Sequence, residues 1–509
     1  MLSKIWTAAT LGIDAVRIVI EVDAQNVGQP SYTMVGLPDA VVRESLSRVL
    51  SALHNCGFHL PPRKITVNLS PADVRKEGSG FDLPIAIGFL RALEVLEEAH
   101  VAGRVFVGEL SLDGTLMPVR GTLSVSAALA GDTSLRELLV PLANSNEAAA
   151  VQRTRVVGVA HLSDLVRHLR GMMLLPFASS APSTEAPLDG ADFADVRGQA
   201  QAKRALEVAA AGGHNVMLIG PPGSGKTMLA KRLSSILPRL SIEEAIVTTK
   251  IHSVAGTLPA GSGLLTQRPF RAPHHTISTA GLSGGGALVR PGEVSLAHHG
   301  VLFLDELPEF RRETLEAMRQ PMEDGTVTIA RAARTVSFPS RFTLAAALNP
   351  CPCGYFNDGR RQCICTPRQI SRYLGKISGP LLDRIDLQVE VAALRADEIA
   401  SLEPGETSTS IRDRVETARV IQRERFRRGS IASNAEMSSR HLRKWCELDA
   451  PSRRLLLQAI ERLGLSARAH DRILKVARTI ADLAACDAID AAHVAEAVQY
   501  RALDRAYFR

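Results

Sequence analysis

Aromatic side chains are scarce in this chain. They make up 4% of 509 residues, with two tryptophans and five tyrosines. So few rings argue against base-stacking platforms as the main means of holding nucleic acid. Long apolar runs are missing as well, and no stretch approaches the length of a membrane span. The first residues, MLSKIWTAATLGIDAVRIVI, lack an apolar core followed by a small-residue cleavage site. Cysteine is sparse, and four of the seven are clustered, which does not resemble a secreted disulfide framework. These absences together lead us to expect a cytoplasmic protein with no membrane association. Charge of one sign is not extreme. The net charge of +7 permits a polyanionic partner without requiring one. Lysine and arginine are denser after Ser410, where a basic surface competes with the plainer reading of solvated helix faces. The length suggests roughly two to four domains.

The most informative stretch is NVMLIGPPGSGKTMLAKRL, Asn215–Leu233. Val216–Ile219 reads as a buried strand, and a helical pattern begins at Met228. Between them Gly220, Pro221, Pro222, Gly223, Ser224, Gly225, Lys226 and Thr227 have the G-x-x-x-x-G-K-[ST] spacing of a phosphate-binding loop. Glycines let backbone N–H groups turn inward around a phosphate, and the helix N-terminus adds its positive dipole. Lys226 would reach the β- and γ-phosphates of ATP, and the Thr227 hydroxyl would hold Mg²⁺.

A second apolar strand, GVLFLDELPEF (Gly300–Phe310), ends in Asp305-Glu306. Asp305 suits the metal role, and Glu306 the base that orients the attacking water. A third, FTLAAALN, ends in Asn349, whose amide suits a hydrogen bond to the γ-phosphate or the water. In ISGPLLDRIDLQVEV, Arg384 stands between Asp383 and Asp386. It reads either as a local ion-pair member or as an arginine finger stabilising charge in a neighbouring subunit's site, which would require an oligomer. After Ala392 four segments show apolar spacing at i, i+3 and i+4, the pattern of an all-α C-terminal lid. Arg468 begins one of these helices, with Arg472 one turn on.

Two insertions and a cysteine cluster complete the inventory. Ser253–Val294 is longer than a minimal phosphate-loop core requires, and Gly281, Gly284, Gly285 and Gly286 suggest a mobile tip. Arg268, Arg271 and Arg290 place positive charge around it, which favours a basic pore loop over metal binding by His274-His275. Gly325–Ser340 reads as a hairpin before Asn349, with Arg331 and Arg334 placed to follow a DNA backbone by phosphate neutralisation. Cys351, Cys353, Cys363 and Cys365 form C-x-C-x₉-C-x-C, which points to structural Zn²⁺. Cys56, Cys446 and Cys486 are isolated.

The first third alternates strand and helix patterns: Val16, Ile18, Ile20 and Val22 on one strand, a helix over Asp39–Cys56, KITVNLS, a helix through Leu83–Leu96, and a hairpin turning at Asp113-Gly114. With VGLPDAVVRES, KEGSGFDLPIA and VGELSLDGTLMPVRG, this order resembles the Lon-protease-like fold. That resemblance implies a Ser–Lys dyad, but the matching positions hold Gly80 and Leu123. Neither can serve as nucleophile or base, and Ser79 has no lysine at the partner position. A scaffold or docking role is the expectation. PFASSAPSTEAPLDGA (176–191) reads as a flexible linker.

DFADVRGQAQAKRALEVAAAGGHN resembles the AAA+ segment that folds beside adenine, which implies that Val196, Gly198 and Met228 line the nucleotide. RPFRAPHHTIS and NPCPCG complete a resemblance to the magnesium-chelatase-like AAA+ group, and over the whole chain to the bacterial YifB/ComM family. The resemblance implies an α/β architecture in four parts: a Lon-protease-like domain (1–175), the linker, a P-loop AAA+ αβα core (192–395) and a helical lid (396–509). It also implies a homo-hexameric ATPase, Arg468 as a sensor-2 residue, and hairpins lining a channel. For the ComM branch it implies a DNA helicase driving branch migration in recombination during natural transformation. A motor that remodels a protein or metallocofactor through a partner is the alternative.

Overall fold

The computed structural model describes all residues except 1, 26–30, 77, 180–191, 287–288, 332–333, 360, 394–404, 430, 504–506 and 508–509, and it does not describe the side chains of 331 and 334. The chain divides into two compact units. One comprises Met1–Ala186 with Ser241–Thr266, the other Pro187–Leu240 with Gln267–Arg509.

The first unit is built on a seven-stranded sheet. Strands β1 (Leu2–Leu11) and β2 (Asp14–Gln25) pair antiparallel, Ile5 opposite Ile20. Beside them lie β3 (Ser31–Val35), β4 (Lys64–Ser70) and β5 (Arg104–Phe106). Strands β6 (Glu109–Leu110) and β7 (Leu116–Met117) form a small separate hairpin, and β8 (Glu137–Pro141) and β9 (Val156–Val159) complete the sheet in the order β3-β4-β2-β1-β5-β8-β9. Period-two burial explains the faces: Ile18, Ile20 and Val22 of β2 are fully buried while the residues between them are partly exposed. The expected hairpin at Asp113-Gly114 forms, but its first strand is divided, and β5 joins the large sheet. Gly114 has φ +91°, the left-handed turn position that favours glycine. The helix Ala40–Asn55 is capped by Asp39, which accepts from Val42 N–H at 2.7 Å. The helix Asp82–Ala92 is buried at every position except Arg91.

The first unit also includes the helix Ile242–Ala255, a segment that the sequence boundaries placed in the ATPase core. Ser253 Oγ accepts from Gly121 N–H (2.8 Å) and donates to the buried Glu147 (2.5 Å). Lys250 reaches Asp14 at 3.0 Å, and Gly261 N–H donates to Ala143 O at 3.0 Å.

The second unit holds a parallel five-stranded sheet. Its strands are β10 (Val216–Ile219), β11 (Phe270–Arg271), β14 (Val301–Leu304), β17 (Thr343–Leu348) and β18 (Leu387–Glu390), in the order β11-β14-β17-β10-β18. Two ribbons stand apart: β12 (Gly284–Gly285) with β13 (Arg290–Pro291), and β15 (Thr326–Arg331) with β16 (Arg334–Pro339). Continuous apolar runs suit strands buried on both faces. Val216 and Leu218 join the core that includes the C-terminal helices, while Met217 and Ile219 join the core on the opposite face. The helices Ser408–Phe426, Ala450–Leu463, Ala467–Leu483 and Ala491–Gln499 match the four periodic segments.

Candidate active site

In the parallel sheet the polar residues follow directly on three adjacent strands. β10 lies beside β17, with Ile219 opposite Leu348, and β17 lies beside β14, with Leu304 opposite Ala346. Gly220, Asn349 and Asp305 therefore emerge at the same carboxyl edge, where open α/β sheets place ligands. Gly223 (φ +78°) and Gly225 (φ +89°) take the left-handed turns that bring the loop round to the helix Lys226–Ile236.

Within this group the side chains meet. The buried Lys226 ammonium donates to Gly220 O (2.7 Å), Pro221 O (2.8 Å) and Asn349 Oδ1 (3.1 Å). Burial pulls its pKa down to about 8, against the opposing pull of Asp305. Thr227 Oγ1 donates to Asp305 Oδ2 at 2.7 Å, so a hydroxyl and a carboxylate oxygen share one spot. Hard oxygen donors of this kind fit Mg²⁺. Glu306, exposed and left-handed at φ +52°, donates its N–H to Asp305 Oδ1 at 2.9 Å. Ser224 is buried, while Pro222 and Met228 are exposed beside the loop. Val196 is fully buried, and Gly198 turns at φ +58° before the helix Ala200–Gly212.

The remaining sequence candidates make other contacts. Arg384 is buried; it donates to Pro380 O at 2.6 Å and pairs with Glu323, while its Nε has no partner among the described residues. Arg468 is exposed and lies 3.4 Å from Asp383. Arg472 pairs with the buried Asp386, which also meets His214 Nδ1 at 3.2 Å. Burial opposes ionisation of Asp386, but the Arg472 charge and the His214 hydrogen bond outweigh it and hold the carboxyl below its usual range. Arg290 is exposed on β13. Arg331 and Arg334 face each other in register at the end of the β15–β16 hairpin, and their side chains lie outside the described residues. Arg268 and Arg271, expected to give the pore loop positive charge, are instead engaged by their own chain. Arg268 donates to Pro238 O (2.6 Å) and His299 O (2.7 Å), and Arg271 grips Glu293 with two bonds of 2.6 and 2.8 Å.

The four clustered cysteines converge. Cys351 Sγ lies 3.3 Å from Cys353 Sγ and 3.7 Å from Cys363 Sγ, and all four sulfurs fall within 4.8 Å of one another. A tetrahedral Zn²⁺ with bonds of about 2.3 Å needs sulfurs about 3.8 Å apart. The donor set fits zinc. Disulfides, with sulfurs about 2.0 Å apart, are not formed.

Sequence reasoning missed one neighbour of the acidic pair. His275 Nδ1 lies 3.4 Å from Glu306 Oε2, with its ring against His274 and edge-on to Phe310. The histidine pair was legible, but its carboxylate partner lies on a strand end 31 residues further along the chain.

Comparison with known proteins agrees along the whole length. Residues 192–399 match the family model described as magnesium chelatase, subunit ChlI; residues 20–144 match subunit ChlI of Mg-chelatase; residues 405–501 match the ChlI C-terminal model. The chain is 45% identical to the competence protein ComM of Haemophilus influenzae, over 99% of this chain and 98% of that protein. It is 44% identical to the uncharacterized protein YifB of Salmonella typhimurium, over 99% and 98%. A probable DNA helicase MCM9 of Oryza sativa is 25% identical over 173 residues, 34% of this chain and 21% of that protein.

Proposed function

The chain belongs to the magnesium-chelatase-like ComM/YifB family, and from that premise we propose that it is an AAA+ ATPase working as a DNA motor. The observation that carries the ATPase reading is the convergence of Lys226, Thr227, Asp305 and Asn349 at one edge of the parallel sheet. Lys226 holds the β- and γ-phosphates and Asn349 holds the γ-phosphate or the water. Glu306 takes the water's proton as it attacks. Thr227 and Asp305 would hold Mg²⁺, which would neutralise charge on the triphosphate. Val196, Gly198 and Met228 line the nucleotide.

Arg384 serves a neighbouring subunit. Its bonds run to Pro380 and Glu323 rather than to the phosphate loop of its own chain. Arg468, exposed and weakly paired, suits the sensor-2 role better than Arg472, which is tied to the buried Asp386. The assembly is a homo-hexamer with the β15–β16 hairpin and Arg290 toward DNA in its channel. The Lon-protease-like domain is a scaffold: Leu123 is fully buried and the Ser79 hydroxyl is bonded to Glu109. The four cysteines hold structural Zn²⁺. No described helix is long and apolar enough to cross a membrane, and we place the protein in the cytoplasm.

The DNA step rests on the names of relatives, one for competence and one for DNA helicase activity. In this reading ATP hydrolysis drives branch migration during recombination in natural transformation, beside other recombination proteins. ATPase rates with and without forked DNA test it. Stimulation with strand displacement is expected; a rate unmoved by any DNA would favour the alternative, a chelatase-like motor remodelling a partner protein or cofactor.

A further inference from the structure

The loop that carries the four cysteines begins two residues after Asn349 and ends one residue before the helix Pro367–Leu374. From Cys351 to Thr366 its described residues form only turns and irregular backbone, so no ladder or helix fixes its shape. Two backbone donors point at sulfur: Phe356 N–H to Cys351 Sγ at 3.3 Å and Cys365 N–H to Cys363 Sγ at 3.4 Å. Both bonds tie a sulfur to the backbone of the loop itself. The loop also turns tightly at Gly354, whose N–H bonds Cys351 O at 3.0 Å.

At that turn it meets the phosphate loop. A β-carbon placed on Gly354, where φ is +86°, would lie 2.5 Å from Pro222 Cδ and 2.8 Å from Pro222 Cγ. The Gly354 backbone therefore rests directly on the ring of Pro222, in the middle of the phosphate loop. On the other side of that loop, Asn349 holds Lys226 at 3.1 Å. Two points of one short segment thus touch the phosphate loop, and the four sulfurs gather the two ends of that segment within 4.8 Å of one another.

We propose that the Cys351–Cys365 loop is a zinc-dependent brace for the phosphate-binding loop. Zn²⁺ bound by Cys351, Cys353, Cys363 and Cys365 holds Gly354 against Pro222, and so keeps the loop in its phosphate-binding shape. The proposal rests on the zinc assignment above. Without the metal the four sulfurs are no longer joined and a long loop regains its freedom, so the contact at Pro222 loosens. The effect falls on nucleotide affinity, since Pro222 stands inside the phosphate-binding run Gly220–Thr227.

The test uses the full-length protein and three measurements: zinc content, affinity for a fluorescent ATP analogue, and the split between KM and kcat. About one zinc per chain is expected. A zinc-selective chelator, with Mg²⁺ in excess, should weaken analogue binding about tenfold or more, and added Zn²⁺ should restore it. Cys363→Ser should lose both metal and affinity. Gly354→Ala separates the brace from the metal. It keeps its zinc, yet raises Kd and KM about tenfold at little cost in kcat, because a β-carbon at that φ cannot approach Pro222. A protein purified without zinc, with all four thiols free, would overturn the metal assignment and the brace with it. Zinc bound, but with wild-type ATP affinity after chelation and in Gly354→Ala, would overturn the brace and leave the metal site standing.

Discussion

In the first unit the buried carboxylates are closed off by donors from their own chain. Asp82, fully buried, receives two bonds from Arg48 (2.9 and 3.1 Å) and one from Leu110 N–H (3.2 Å). Glu147 receives Leu123 N–H, Ser253 Oγ and Asn144 Nδ2. In the second unit the carboxylates at the strand ends stay partly open: Asp305 meets one hydroxyl and one N–H, and Glu306 is exposed. Both units are α/β layers with apolar cores. They differ in whether a polar group reaches the sheet's carboxyl edge with lone pairs to offer. Satisfied carboxylates define a shape, and open ones can meet a substrate. This difference is what the proposed function uses when it assigns the chemistry to the second unit and a framework role to the first.

The strongest way to break the comparison is to remove groups on the open side. Lys226→Ala should abolish nucleotide binding, because it removes the buried ammonium held inside the phosphate loop. Glu306→Gln should bind ATP normally and lose hydrolysis by about a hundredfold or more, the usual worth of a general base. Equal loss of affinity in both variants, read by equilibrium binding, would contradict the separate roles.

A smaller effect comes from pH. Burial leaves Lys226 with a pKa near 8, and triphosphate charge beside it raises that value. The bound form then holds more proton than the free form above about pH 8. Affinity should therefore fall as pH rises through 8, with proton uptake on binding in that range and little uptake near pH 6. Calorimetry in buffers of different ionisation enthalpy reads the uptake directly. A flat profile to pH 10 would mean that Lys226 is not desolvated in the free site.

The smallest expected effect lies on the closed side. Glu147→Ala leaves Leu123 N–H and Ser253 Oγ without their charged acceptor, at a cost of about 1–3 kcal/mol in stability. Basal ATP turnover per folded chain should not change. Denaturant unfolding and ATPase assays on the same sample separate the two readouts, and a loss of turnover at unchanged stability would give the first unit a part in the chemistry.

The features legible in the sequence were contiguous ones. Apolar strands ending in Gly220, Asp305 and Asn349 announced themselves because a buried parallel strand is a short unbroken hydrophobic run and its chemistry follows at once. The C-terminal helices were legible for the same reason, through their periodicity. What the sequence hid depends on pairing across distance. Ile242–Ala255 shows a helix with a Ser241–Glu244 capping box, but nothing local says that Ser253 will meet Glu147 within the first unit. Likewise Arg384 reads alike whether it meets Glu323 or a neighbour's phosphate, and Gly354 gives no hint of Pro222. Spacing reports what one element does with itself; which surfaces meet is decided by the packing of the whole unit.

The central claim is that the open site of one subunit is completed by Arg384 of the next, and mixing two inactive chains tests it most directly. Arg384→Ala chains should bind ATP yet hydrolyse it on the order of a thousandfold more slowly. Glu306→Gln chains should be inactive for the separate reason given above. Combined in one assembly, some interfaces regain both an intact Glu306 and an intact Arg384, so ATPase activity should reappear and peak at intermediate mixing ratios. No recovery at any ratio, with mixed assemblies confirmed by light scattering, would contradict the account and return Arg384 to a purely internal pairing with Glu323.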